Sequence, residues 1–378
     1  MPINGILLFM VTYMLVSILW APHFILGYHL AVCLLLNYFF FILSRDVIID
    51  ESALKFAAGV WILLGIIAGT GAIVSQWESY KWTYYFSHSL SIIIQFSEVT
   101  NRPCGFGGMN NMAGLVVASI FLTIGMFMIC KGFSKKFFLF LIGIYQFAAL
   151  IVTVSRGALI GFIAGLFLLI FIYPSKQYKI IRYSVLSIFM IFIVIIIVKP
   201  SYLNRILIGF GYNGDPIVDV VQQPNSSAPT TSSTDTSGMS YRKKIWKKAF
   251  KETIHHPYKL VLGLGIGGFI TYSEAIYTHS IWLSFFFDMG ITGILILCAL
   301  AIILISNFWR CLRRAKRTDS YYLFLVFGIA LFAVVGVQGL IDFDFYSYTA
   351  KMFWFPLSIF CASYNVIMSE NPELSKPR

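Results

Sequence analysis

About ten apolar runs, most of them close to the roughly 20 residues that a bilayer-spanning helix needs, leave this chain few folds to choose from. They lie near Ile3–Trp20, His23–Leu43, Leu54–Val74, Met112–Cys130, Phe137–Val154, Gly157–Ile172, Ile181–Val198, Leu283–Ile305, Tyr322–Leu340 and Met352–Ile367. In lipid a segment must satisfy its own backbone hydrogen bonds, which a helix does. With 58% hydrophobic and 12% charged residues in 378 positions, there is too little polar surface to clothe a soluble globule. The expected fold is all-α, a polytopic helical membrane protein of about 10 transmembrane helices. Trp77–Ser97, with its apolar stretch Leu90–Phe96, leaves room for up to 12.

Charge then sets orientation. The formal net charge of +12 would point to nucleic acid in a soluble protein, but here it divides between two sides of a membrane and leaves no nucleic-acid-binding pattern. With both termini cytoplasmic, Arg45, Lys55, Lys131, Lys135, Lys136, Lys176, Lys179, Arg182 and the Arg310–Arg317 group fall inside. The same assignment gathers Trp77–Asn111, the turn at Arg156, Ser201–Thr278 and Asp342–Tyr348 on the outer face, which is therefore the expected active surface. Three parts result: an N-terminal transmembrane bundle over 1–200, a large extracytoplasmic loop with short helices over 201–278, and C-terminal transmembrane helices over 279–378. The first span lacks a basic leader and a clear cleavage site, and reads as a retained anchor. On this topology only Cys104 faces outward, so no external intramolecular disulfide forms, and no Cys/His spacing suits a metal.

Within that outer face a few residues carry chemistry. Ser155-Arg156-Gly157-Ala158 stands between two apolar runs with hardly any loop. A guanidinium keeps its charge, and burying it unpaired at membrane depth is costly. Arg156 either snorkels to lipid phosphate, as many helix-end arginines do, or meets another anion there. Gln222–Ser240 is Ser/Thr-rich and reads as a flexible link, and its Asn225-Ser226-Ser227 is a weak match to a glycosylation acceptor. A helix is expected from Tyr241 to Ile254, capped by Ser240 and closed by His256-Pro257. Ile245, Trp246, Ala249, Phe250 and Ile254 make its apolar stripe, and Lys243, Lys244, Lys247, Lys248 and Lys251 a solvated or lipid-phosphate face. Arg242, one turn before Trp246, turns toward the protein, where a planar fixed charge suits a phosphate. Gly263-Leu264-Gly265-Ile266-Gly267-Gly268 lacks the context of a Rossmann or P-loop motif. It reads as a tight turn where backbone closely approaches a helix or ligand. His279, at the mouth of the next span, is either a structural side chain at a helix start or a proton acceptor.

Taken together, these segments resemble the O-antigen ligase and polysaccharide polymerase superfamily of bacterial membrane glycosyltransferases. The resemblance rests on Ser155-Arg156-Gly157-Ala158, Tyr241-Arg242 with Trp246, Pro257 with Leu262-Gly263-Leu264-Gly265-Ile266-Gly267-Gly268-Phe269, His279-Ser280 with Leu283, and Gly290-Ile291-Thr292-Gly293. Arg102 before Cys104-Gly105-Phe106-Gly107, with Asn110-Asn111, resembles the family's earlier outer loop. Most of Arg102 to Gly293 is covered, in the family's order. The family often has His-Asn where this chain has His279-Ser280.

The resemblance implies a GT-C-like fold in a bacterial plasma membrane, and an enzyme taking glycan from undecaprenyl diphosphate to a hydroxyl acceptor at the extracytoplasmic face. It implies that Arg156 and Arg242, with Arg102, bind the donor diphosphate, that His279 is the catalytic base, and that Ser155, Trp246, Gly265 and Ser280 support them. No cofactor and no metal are expected. The expected partners are the lipid-linked donor, a second lipid-linked repeat or lipid A-core as acceptor, membrane lipids and a chain-length regulator. A surface-polysaccharide polymerase is the leading reading, an O-antigen ligase the alternative, and a transporter of lipid-linked oligosaccharide the alternative from another class. Against transport, the arginines collect at one face instead of lining a path.

Overall fold

The computed structural model describes residues 3–77, 109–153, 155–172, 239–273, 278, 280–340 and 351–372. Every element among them is helical: α1 (Ile3–Val16, prolonged by a 3-10 turn Ser17–Trp20), α2 (Phe24–Val47), α3 (Glu51–Trp77), α4 (Met109–Ile129), α5 (Phe133–Thr153) and α6 (Arg156–Ile172). There follow α7 (Met239–His255), α8 (Pro257–Leu262), α9 (Gly268–Ser273), α10 (Ile281–Arg314), α11 (Asp319–Leu331) and α12 (Lys351–Glu370). Among the described residues seven helical stretches are long and apolar enough to cross a membrane, and α6 is a shorter apolar one. The chain is thus an all-α polytopic membrane protein, as expected. Each expected span within the described residues falls on a helix, while Ile181–Val198 and most of Trp77–Ser97 lie outside them.

The helices outrun the apolar runs. Expected from Leu283 to Ile305, α10 reaches Arg314, and α3 starts at Glu51 instead of Leu54. Arg and Lys are good helix formers, so hydropathy falls before the helix ends.

Small residues and internal polar pairs bind α3, α4 and α5 in the interior. Gln146 Nε2 donates to Ser119 Oγ at 2.7 Å, and the Thr123 hydroxyl donates to Gln146 Oε1 at 2.9 Å. Side chains added at Gly65 or Gly69 would run into Ser119 and Ala149, so these two glycines permit the approach. Between membrane helices such hydrogen bonds contribute about 0.6 kcal/mol each, and it is close packing that fixes the arrangement.

One end of the bundle is closed by charge. The Lys55 amine lies 2.6 Å from Glu51 and 2.7 Å from Asp319, and the Ser320 hydroxyl lies 2.6 Å from Glu370. The starts of α3 and α11 and the end of α12 therefore meet there. Toward the other end lie the starts of α4, α6 and α10 and the finish of α11, which is not a plain helix: it widens into a π turn, Phe332–Val337, and then tightens into a 3-10 turn, Gln338–Leu340.

Candidate functional site

Ser155 caps α6: its hydroxyl accepts from Ala158 N at 3.4 Å and donates to Asn110 Oδ1 at 3.1 Å. Arg156 is the first helical residue and is half-buried. It thus adds its charge to the N-terminal end of a helix, whose own dipole favours anions. The carbonyl of Asn110 accepts from Gln338 Nε2 at 2.8 Å, which brings the end of α11 under the same turn.

Arg242 rides on α7. This helix buries Ile245, Ala249 and Thr253, with Trp246 and Phe250 packed against the same cluster of Leu264, Phe269 and Phe287. Its lysines, Lys243, Lys244, Lys247, Lys248 and Lys251, are exposed, and Arg242 is half-buried as its helical phase requires. Two details depart from expectation. The helix begins at Met239, so Ser240 is inside it and not its cap; and Ile254 is exposed, because the buried row runs 245, 249, 253 in steps of four. Trp246 Nε1 donates to Thr278 O at 2.8 Å, tying α7 to the residue before His279.

The glycine-rich turn closes on a helix, and that helix is broken to receive it. Gly290 in α10 has φ 65° and ψ −151°, which interrupts the helix one turn after Phe287. In a regular helix Ile291 and Thr292 would donate to the carbonyls of Phe287 and Asp288. Here Leu264 N takes Phe287 O at 2.7 Å and Gly265 N takes Asp288 O at 3.1 Å. Gly265 has φ 81°, and a Cβ there would stand 2.8 Å from Ser17 O. The turn is held from its other side as well, by Ser17 Oγ accepting from Ile266 N at 3.0 Å. Asp288 is wholly buried, and its Oδ1 accepts from Phe269 N at 3.3 Å at the start of α9.

Both neighbours of the expected base are buried and bonded. Ser280 caps α10, its Oγ accepting from Leu283 N at 3.3 Å; a serine thus does what an asparagine would do equally well at an N-cap. The Thr278 hydroxyl accepts from Ser280 N at 3.1 Å and lies 2.6 Å from Ser284 Oγ. His279 and Arg102 themselves lie outside the described residues, as do Asn225 and Cys104.

The 3-10 turn Gln338–Leu340 joins these pieces, since it packs on both α6 and α10. A Cβ on Gly339 would stand 2.8 Å from Ile281 Cδ1, and one on Gly161 would stand 3.5 Å from Gln338 Cβ. The Arg156 turn and the Thr278–Ser280 turn thus share one wall, and α7 hangs from the second through Trp246. Beside them an apolar cavity of ≈ 360 Å³ opens between α6, α10, α11 and α12, lined by Leu168, Ile281, Trp282, Leu300, Phe332 and Phe353 among others. Sequence reasoning missed Asp288 and Gln338. An acid alone in an apolar run was signal enough for the first, whereas the π turn that places the second leaves no pattern in the sequence.

Outside this geometry, a solved structure described as "Structural coordination of polymerization and crosslinking by a peptidoglycan synthase complex" contains a chain that overlays 100% of this one and 98% of itself, at 13% identity and a TM-score of 0.49, too distant a likeness to bear on function. No curated protein matches the chain. The family model described as O-antigen ligase matches residues 138–298. That stretch, which holds the Arg156 turn, α7, the glycine-rich turn and the break in α10, is therefore similar to the O-antigen ligase family.

Proposed function

We propose that the protein is a glycosyltransferase that acts at the outer face of a bacterial plasma membrane, taking glycan from undecaprenyl diphosphate and extending a surface polysaccharide. The observation that carries this reading is the linking of three segments at one end of the bundle: the Ser155–Arg156 turn and the Thr278–Ser280 turn share the Gln338–Leu340 turn as a wall, and α7 with Arg242 is tied to Thr278 through Trp246. Two half-buried guanidiniums there suit a diphosphate held at membrane depth. The adjacent apolar cavity suits a donor carried on a lipid. In the reaction the acceptor hydroxyl oxygen bonds to the anomeric carbon, and the bond from that carbon to the diphosphate oxygen breaks. The hydroxyl proton passes to His279, and Arg156 and Arg242, assisted by Arg102, stabilise the charge that develops on the departing diphosphate.

A ligase, with lipid A-core as acceptor, uses the same donor chemistry, and the description of the matching family favours keeping it as the second reading. Incubating the purified protein with its lipid-linked repeat, with and without lipid A-core, decides between them. A ladder without core is the expected result. A single shift that requires core would make it a ligase, and no transfer in either case would overturn the transferase reading.

A further inference from the structure

Gln338 opens the 3-10 turn that follows α11 and its π turn, and is wholly buried. Its Nε2 donates to Asn110 O at 2.8 Å, and this bond fixes the amide, because the flipped orientation would set one carbonyl oxygen against another. Its Oε1 is buried as well and finds no hydrogen-bond partner among the described residues. Buried acceptors are rarely left so, and one that is asks for an explanation.

Position narrows that explanation. Asn110, which holds the amide, also holds Ser155, the cap of the helix that begins with Arg156. The next residue, Gly339, lies against Ile281, at the start of α10. The residue therefore sits between the turn that carries Arg156, proposed above to hold the diphosphate, and the turn that precedes α10. Chemistry narrows it further. An amide oxygen can only accept, and so can the oxygens of an ionised diphosphate, so the diphosphate is not its partner. A sugar hydroxyl or a sugar amide N–H is a donor.

We infer that Gln338 is a sugar-binding residue of this site, whose Oε1 accepts a hydrogen bond from a hydroxyl or amide N–H of the sugar that the diphosphate carries. The inference rests on the donor class proposed above. Gln338→Met keeps length and volume while removing both polar atoms. The full chain in nanodiscs is assayed for transfer from its lipid-linked donor, and for binding of bare polyprenyl diphosphate and of polyprenyl diphosphate bearing one sugar. The variant is expected to raise the donor KM about five- to tenfold with kcat little changed, the loss of one neutral hydrogen bond. It should also lose the extra affinity that the sugar confers, while binding the bare lipid diphosphate as the wild type does. If Gln338→Met does not insert, Gln338→Asn, which retracts the oxygen by one methylene, must show the same rise. An unchanged donor KM would overturn the inference, as it would if a water satisfied the oxygen. So would an equal weakening of bare and sugar-bearing lipid, which marks a structural role alone. No transfer by the wild type would count against the transferase reading first, and would remove this inference with it.

Discussion

Gly290→Ala tests whether the break in α10 is what assembles the site. At φ 65° and ψ −151° the residue occupies a region essentially reserved for glycine, and holding alanine there costs about 1–3 kcal/mol. The new Cβ would also stand 2.5 Å from Val261 O, 2.6 Å from Leu260 O and 2.7 Å from Gly263 N. These are backbone atoms that cannot swing aside, and such overpacking costs about a further 1–3 kcal/mol. Against a total of about 2–6 kcal/mol, the chain has a cheaper course: α10 straightens, a change that alanine favours over glycine by about 1 kcal/mol. Ile291 and Thr292 then recover the carbonyls of Phe287 and Asp288, Leu264 and Gly265 lose theirs, and the glycine-rich turn is released together with α7 and Arg242. The purified variant should insert, unfold at a lower temperature than the wild type and transfer glycan at least tenfold more slowly. Gly132→Ala is the control. It too has positive φ, 98°, but a Cβ there meets nothing within 4 Å, so it should cost about 1 kcal/mol and leave transfer unchanged. If Gly290→Ala matched Gly132→Ala in both measurements, the break would not be what holds the turn.

Arg156→Lys and Arg242→Lys keep the charge and lose the bidentate fork, so transfer should fall about 10²–10³-fold in inserted protein, while Lys243→Ala and Lys248→Ala on the exposed face should be mild; near-normal turnover in both lysine variants would sink the diphosphate role. His279→Ala should still bind donor but lose about 10²–10⁴ in transfer rate, and the wild type should remain active in EDTA; loss in EDTA restored by magnesium would refute the metal-free expectation. The hydrogen bond from Lys259 holds the Glu252 carboxyl below the usual carboxylate range, against the opposing effect of burial. The folded group takes its proton at lower pH than the unfolded one, so its stabilisation is complete above the ordinary carboxylate range and fades as pH falls through the lowered value. The pair is partly exposed, so Glu252→Gln should flatten the acid limb of stability by no more than about 1 kcal/mol, and an identical acid limb in the variant would refute the assignment.

Hydropathy and the lengths of the apolar runs announced the helices, because a membrane span is decided by length and polarity alone. They could not announce how each helix ends or breaks. The glycine-rich string from Gly263 to Gly268 was legible as a turn that presses on a helix, but the identity of the helix depends on Gly290, which inside an apolar run looks like any small residue. The half-buried Arg156 and Arg242 were legible from depth and helical phase, since a fixed charge beside an apolar stripe must be met by something. Ser280 was marked as a departure from the family's usual asparagine, and the structure gives it a role that either residue can fill. Asp288 stood in plain view, yet its task, receiving Phe269 N, exists only once α9 has folded back on α10. Gln338 was out of reach altogether: its register depends on a π turn, and a change of hydrogen-bonding step from four residues to five has no compositional trace.

The knot of charge that joins α3, α11 and α12 also has a history in time. Lys55 and Asp319 are 264 positions apart in the chain. At a synthesis rate of about 5–20 residues per second, the second emerges roughly 13–53 s after the first. During that interval the first helices sit in the bilayer with Lys55 attended by Glu51 alone, and the bundle stays open along the side that α11 will fill. A ribosome that stalls before residue 319 therefore leaves an unfinished charge cluster and an uncovered face of α4 in the membrane, a surface that the finished chain does not show.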